Sequence, residues 1–206
     1  MGVKVVHRPP DYAKLIGAGL APVMKKAAMY MQSSALKKIR GGIAPANAPL
    51  TQEVKRGSQT LRDRGELMQS IAPHSGDLWA DASTNLKYAR IQQEGGTITA
   101  KNAKALFIPA GAKTRTLMRS YGAWTPRSLI SVMEADHGFF RAGRVFFAYK
   151  KSTGKSGRRG KEFALFIISH SVKIPARPFL YFDEKDDAYL LKLIQEGVAN
   201  ALKGGK

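Results

Sequence analysis

Helical spacing at both ends of the chain, with strand-like runs gathered between them, predicts a fold of mixed helices and strands. Residues 21–40 and 183–203 place apolar side chains at helical intervals. The runs "RVFFAYK" and "FALFIISHSVKI" are rich in the aromatic and β-branched residues that strands favour. Between them, "KSTGKSGRRGKE" reads as the tip of a basic hairpin. A chain of 206 residues is expected to form one domain that buries its core without disulfides or metals. Its parts are a helical region 1–42, a surface loop 43–60, a sheet-containing core 61–182 and a terminal helix 183–203. The core carries a helical insertion at 111–138 and the basic hairpin at 150–161.

In the first helix, Leu20, Val23, Met24, Ala27, Met31, Ala35 and Ile39 form the apolar stripe. Pro22 is expected in its first turn, and Gly41-Gly42 should end it after Lys37, Lys38 and Arg40, which suit the negative end of the helix dipole. Lys25, Lys26, Lys37 and Lys38 read as a solvated face opposite that stripe. Gly17 and Gly19 argue against continuity with a shorter helix capped by Asp11. The Pro- and Ala-rich stretch 43–60 reads as a loop with one helical turn at 50–56. "LRDRGELMQSI" reads as a short helix or turn that sends Leu67 and Ile71 to the core.

A strand is expected at 78–83, "LWADAS", and a helical turn or two in "NLKYARIQQEGG", closed by Gly95-Gly96. "ALFIPA" is the next strand, stopped by Pro109. The insertion holds two short helices, the second capped by Thr125 with Pro126 at its first position. In the terminal helix, Asp183 is the N-cap and Glu184, Asp186 and Asp187 occupy the first turn, where carboxylates stabilise free amides. Leu190, Leu191, Ile194, Val198, Ala201 and Leu202 are its expected buried face.

Lys and Arg number 34 against 15 Asp and Glu, a net charge of +19 that makes a polyanion or an acidic protein surface an expected neighbour. Residues 1–40 and 141–162 each carry +7, whereas "DEKDD" at 183–187 carries −3. Opposite poles of this kind suit head-to-tail contact between copies. The absence of cysteine removes disulfides, thiolate nucleophiles and cysteine-ligated metals. No run approaches the ~18 apolar residues of a membrane span, and the N-terminus has no signal-like apolar region, so a soluble protein made in a cytoplasm is expected.

Motifs for chemistry are weak. Gly154-Lys155-Ser156 matches the end of a phosphate-binding loop, but Tyr149 stands where that motif needs glycine, and a strand follows instead of a helix. His7, His74, His137 and His170 lack metal-ligand spacing, and no nucleophile elbow is present. No catalytic residue, metal or cofactor is expected.

Five stretches in order, "PANAPLT" (45–51), "LRDRGELMQSI" (61–71), "NLKYARIQQEGGTI" (85–98), "ALFIPA" (105–110) and "VKIPARPFL" (172–180), resemble the phage virion morphogenesis or tail-completion proteins of tailed bacteriophages, of the kind found in Mu-like phages. The resemblance implies a non-enzymatic structural protein of the virion, acting at the tail end or at the neck where tail meets head. It also implies an α+β fold, with an antiparallel sheet flanked by the N-terminal and C-terminal helices. Its partners would be further copies of itself in a ring, expected as a hexamer, and neighbouring neck and tail-end proteins, with genomic DNA passing through. No membrane is involved.

Pro175 and Pro178 fix φ and lack amide protons, so the chain must turn there. One reading is that this elbow only seats the last helix; the other is that Arg177 also pairs with a carboxylate of the next subunit. Candidate interface residues are therefore Pro175, Arg177, Pro178, Phe179, Asp183, Glu184, Asp186 and Asp187. Candidates for contact with DNA or a partner are Lys150, Lys151, Lys155, Arg158, Arg159 and Lys161, whose charge would gain affinity by counterion release. The reading from another class is a free, basic nucleic-acid-binding protein, marked by strongly salt-dependent binding.

Overall fold

The computed structural model describes residues 12–55, 57–101, 103–152 and 159–204, with the backbone alone for 12–18 and Gly204. In chain order the elements are α1 (Tyr12–Gly41), α2 (Pro49–Val54), α3 (Glu66–Ser70), β1 (Ala72–Ser75), β2 (Ala80–Ser83), α4 (Ala89–Glu94), β3 (Gly96–Thr99), β4 (Leu106–Pro109), α5 (Ala112–Ser120), α6 (Pro126–Met133), β5 (His137–Ala142), β6 (Val145–Lys150), β7 (Glu162–Ser169), β8 (Ser171–Ile174) and α7 (Glu184–Gly204). All strand pairs are antiparallel, and a long helix stands near each end of the chain, so the α+β expectation is met. These elements fall into two compact units. The first unites the chain up to Ile43 with Arg64–Gln93 and everything from Arg177 onward; the second unites Ala44–Asp63 with Glu94–Ala176.

In the first unit α1 packs on α7 and on the β1–β2 hairpin. Leu20, Met24, Ala27, Ala35 and Ile39 of the predicted stripe are buried, together with Ala28. The helix ends as predicted, with Gly42 at φ 86° just beyond it. Its start is not as predicted: α1 runs unbroken through Gly17 and Gly19, and Pro22 lies inside it. A Cβ on Gly19 would stand 2.8 Å from the Ala201 Cβ, and one on Gly197 would stand 2.5 Å from Val23. These glycines are therefore points of close helix approach, which compensates their poor helix propensity. Pro22 is exposed, and its ring leaves the carbonyl one turn before it without a helical donor.

The buried face of α7 also departs from expectation. Asp186, Leu190 and Gly197 are buried, with Leu193, Val198 and Ala201 half-buried, while Leu191 and Leu202 are 58% and 62% exposed. The helix turns toward α1 the two residue types, Gly and Asp, that a search for apolar periodicity passes over. Tyr189 stacks on Tyr30 at 4.1 Å between ring centroids. As expected, α3 delivers Leu67 and Ile71 to the core. β1 was not foreseen; it pairs with β2, and Leu78 and Trp79, expected in the strand, sit in the hairpin turn instead.

The second unit holds a four-stranded sheet in the order β4-β7-β6-β5 and a separate β3–β8 ladder. Ala123, Leu129, Met133, Ala148, Leu165 and Phe166 form its core, with Phe139, Phe146 and Phe163 packed against them. The run expected as one strand at 163–174 divides at His170, β7 joining the large sheet and β8 pairing with β3. In the β6–β7 pairing Phe146 faces Phe166, but Phe147 faces Ala164, so Leu165 is an extra residue. A bulge of this kind turns two neighbouring side chains toward one face, and Leu165 and Phe166 are both fully buried. The Leu165 carbonyl receives Thr114 Oγ1 at 2.7 Å and Ala110 N at 3.1 Å, which explains a fully buried threonine on α5.

As expected, α5 and α6 form a helical insertion between β4 and β5, and α6 starts at Pro126 under a Thr125 cap. Ser128 completes a reciprocal capping box. The helical turn expected at 50–56 is α2, tied to α5 by Arg115, which donates to the Val54 carbonyl at 2.9 Å and pairs with Asp63.

Candidate functional site

After β8 the chain passes through Pro175–Pro178 without regular structure before α7 begins. Arg177 N–H donates to the Gln92 carbonyl at 2.7 Å. The Gln93 side chain accepts from Phe179 N–H and Leu180 N–H at 2.9 and 3.0 Å and donates to the Leu180 carbonyl at 3.0 Å. One amide side chain thus supplies the ladder that the prolines deny to the elbow. The segments "YARIQQEGG" and "IPARPFL" are bonded to each other through Gln92 and Gln93. Phe179 is fully buried and Arg177 is only 8% exposed, whereas Pro175 and Pro178 are exposed.

Asp183 caps α7 as expected, accepting from Lys185 N–H and Asp186 N–H at 3.1 and 3.0 Å. Asp186 does more than line the first turn. It is 4% exposed and returns a bond to the cap, accepting from Asp183 N–H at 3.2 Å. Tyr30 donates to it at 3.0 Å, Ser34 at 2.8 and 2.9 Å, and Lys38 forms an ion pair with it. Lys38 also donates to the Tyr181 carbonyl at 2.7 Å and lies 4.2 Å from the centre of the Tyr181 ring. Burial by itself would raise the Asp186 carboxyl, but the bonds from Lys38, Ser34, the Asp183 backbone and Tyr30 outweigh it and hold the pKa at about 2. Burial, and then the bond to Asp186, raises the Tyr30 hydroxyl.

Lys38 therefore does not belong to the solvated face, a correction to the sequence reading. Tyr30, Ser34 and Lys38 recur at i, i+4 and i+8, a polar line beside an apolar stripe whose signal is the spacing. The predicted acidic pole is partly neutralised within its own unit, leaving Glu184 and Asp187 exposed on the first turn.

The basic hairpin joins β6 and β7 as expected. Lys155, Arg158 and the Gly154-Lys155-Ser156 stretch lie outside the described residues. Lys150, Lys151, Arg159 and Lys161 are exposed. Lys151 Nζ donates to the Glu134 carbonyl at 2.5 Å, and Arg159 lies 5.3 and 5.1 Å from the centres of the Phe140 and Tyr149 rings. Two of these cations are thus engaged with their own unit. His7 lies outside the described residues, and His137 accepts or donates one bond with Asp136 at 2.7 Å. Among the described residues no group of three or more His, Cys, Asp or Glu gathers as metal ligands would, and no helix is long and apolar enough to cross a membrane.

Surface chemistry missed by motif reading comes from aromatic side chains. The chain has two tryptophans; Trp79 is 55% exposed at the β1–β2 turn and Trp124 is 81% exposed between α5 and α6. Tyr121 is exposed in the same inter-helix turn, with exposed Arg119 and Arg127 on either side of it in the chain. Such rings are costly in water and suited to protein contact.

No curated protein and no solved structure matches this chain. A family model, however, matches residues 12–122, which run from the start of α1 past the end of α5. That span contains four of the five stretches singled out in the sequence; the "VKIPARPFL" elbow lies beyond it. With more than half its length matched, the chain belongs to the phage virion morphogenesis family.

Proposed function

We propose that this protein is a non-enzymatic structural component of a tailed-phage virion that completes the tail and joins it to the head at the neck. It acts as a ring of copies, six in number, through which the genome passes. Family membership supports a structural role in virion assembly. The observation that carries the reading to contact with other proteins is the exposure of both tryptophans. A protein that worked alone would gain by burying them, whereas docking of subunits desolvates them at the moment of assembly.

The mechanism is geometric. Heterologous contacts between identical copies close a ring, one face meets the tail end and the other the neck. Pro175, Pro178, Glu184 and Asp187 are exposed members of the elbow and helix start that are available to such contacts. Arg177 and Phe179 act from within, by holding the elbow. Cryo-electron microscopy of virions containing this chain tests the reading. A ring between head and tail tube with Trp124 at a contact is the expected result; particles in which the chain is found elsewhere, or not at all, overturn the neck assignment.

A further inference from the structure

The 30 residues of α1 contain no Asp or Glu. Its outward stripe is Pro22, Lys25, Lys26, Met29, Ser33, Lys37 and Arg40, all exposed and all within about a third of the helix circumference at 100° per residue. Lys38, one residue from Lys37, turns away to Asp186, so the stripe is set by packing and not by sequence adjacency. Among the described residues, none of Lys25, Lys26, Lys37 and Arg40 forms an ion pair. The cations stand in two clusters on a rigid rod, and Lys25 and Arg40 are about 22 Å apart along the axis at 1.5 Å per residue. Met29 and Ser33 lie between the clusters.

We propose that this stripe is a binding face for the phosphate backbones of duplex DNA, with α1 lying across a groove. Lys25 and Lys26 meet phosphates on one bank, and Lys37 and Arg40 meet those on the other. A duplex major groove is about 12 Å wide, and the clusters stand about 16 to 22 Å apart along the axis, so with α1 across the groove the cations overhang its two edges and reach the phosphates on the banks. The contact is nonspecific, because lysines reaching phosphates carry no base information. The stripe holds no aromatic ring for stacking, which argues against a single strand as the ligand. An acidic protein surface would need no such spacing. The face is distinct from the basic hairpin, where Lys151 and Arg159 are engaged with their own unit. The inference stands for the free chain as well as for a ring.

The test is binding of the full chain to a labelled duplex of about two helical turns, followed by anisotropy from about 50 to 200 mM salt. Each phosphate contact contributes about 0.9 to the slope of log affinity against log salt. The fourfold variant Lys25→Gln/Lys26→Gln/Lys37→Gln/Arg40→Gln is expected to reduce that slope by about 3 to 4 and to weaken binding tenfold or more. Each pair variant, Lys25→Gln/Lys26→Gln or Lys37→Gln/Arg40→Gln, is expected to remove about 2, and these are read separately if the fourfold variant does not fold. A comparison variant, Lys150→Gln/Lys151→Gln/Arg159→Gln/Lys161→Gln, is expected to change the slope less. The inference is overturned if the α1 variants keep the wild-type slope, if the wild-type chain does not bind duplex, or if polyglutamate competes as well as duplex does at equal charge. None of these results would bear on whether a ring sits at the neck.

Discussion

Asp186 shows how a side chain read as a helix-start carboxylate can hold two helices together. It receives Tyr30, Ser34 and Lys38 from α1 while bonding the cap of its own helix. Removing one partner of a buried ion pair leaves the other without compensation, so Asp186→Asn is expected to cost about 2–4 kcal/mol in denaturant unfolding, below the range for a wholly buried pair because Lys38 keeps some solvent access. The double variant Lys38→Met/Asp186→Leu should recover part of that loss, since apolar replacement of a buried pair is often tolerated. The pKa adds a second expectation. The folded value of about 2 lies below the ordinary 3.8, so the stabilisation is complete above pH 3.8 and is lost as pH falls through about 2. Melting curves of wild type and Asp186→Asn should therefore converge between those pH values, by an amount on the order of 2 kcal/mol. A wild-type stability that did not fall relative to Asp186→Asn over that range would remove the carboxylate from this role.

The α1–α7 pairing depends on what is missing from it. Gly197→Ala would add helix propensity of up to about 1 kcal/mol, yet its Cβ meets Val23 at 2.5 Å to Cγ2 and 3.2 Å to Cβ. Val23 is β-branched and has little rotamer freedom in a helix, so the clash is relieved only by moving α7. A net loss of about 1–3 kcal/mol is expected, with partial recovery in Val23→Ala/Gly197→Ala. In the sheet, Thr114→Val keeps shape but leaves the Leu165 carbonyl with Ala110 N alone, at an expected cost of about 1–2 kcal/mol in thermal unfolding. A neutral Thr114→Val would mean that the bulge does not need the hydroxyl. Local signals made the cap and start of α6 legible in the sequence: Thr125 and Pro126 act on their own backbone, and Ser128 completes the box that they begin. β5 was hidden because the Tyr149 ring lies where a Cβ on Gly138 would stand, so its glycine is explained only by its cross-strand partner. The inward face of α7 was hidden for the same kind of reason, as Gly197 and Asp186 acquire meaning only from Val23 and Lys38.

For the whole molecule, the charge of +19 was legible, and so were five stretches in order, which led to the family that residues 12–122 match. The candidate surfaces for the proposed assembly were less so, because exposure is a property of packing. A tryptophan in "LWADAS" reads as a strand residue until the hairpin turn places it outside. Trp124 gives the sharpest separation of folding from assembly. Trp124 is 81% exposed, so Trp124→Ala is expected to change unfolding stability by no more than about 0.5 kcal/mol, whereas the Trp79 ring lies over Gly76 and Trp79→Ala is expected to cost about 1–2 kcal/mol. A desolvated aromatic at the centre of an interface contributes about 2 kcal/mol or more, which would raise the dissociation constant of a subunit contact some thirtyfold. Sedimentation of wild type and the two variants over a range of concentration reads that difference directly. The expected outcome is a loss of self-association in Trp124→Ala with an unchanged melt. Self-association unaffected by both substitutions would assign the tryptophans to a different partner, and a Trp124→Ala melt lowered in step with association would make that ring part of the fold.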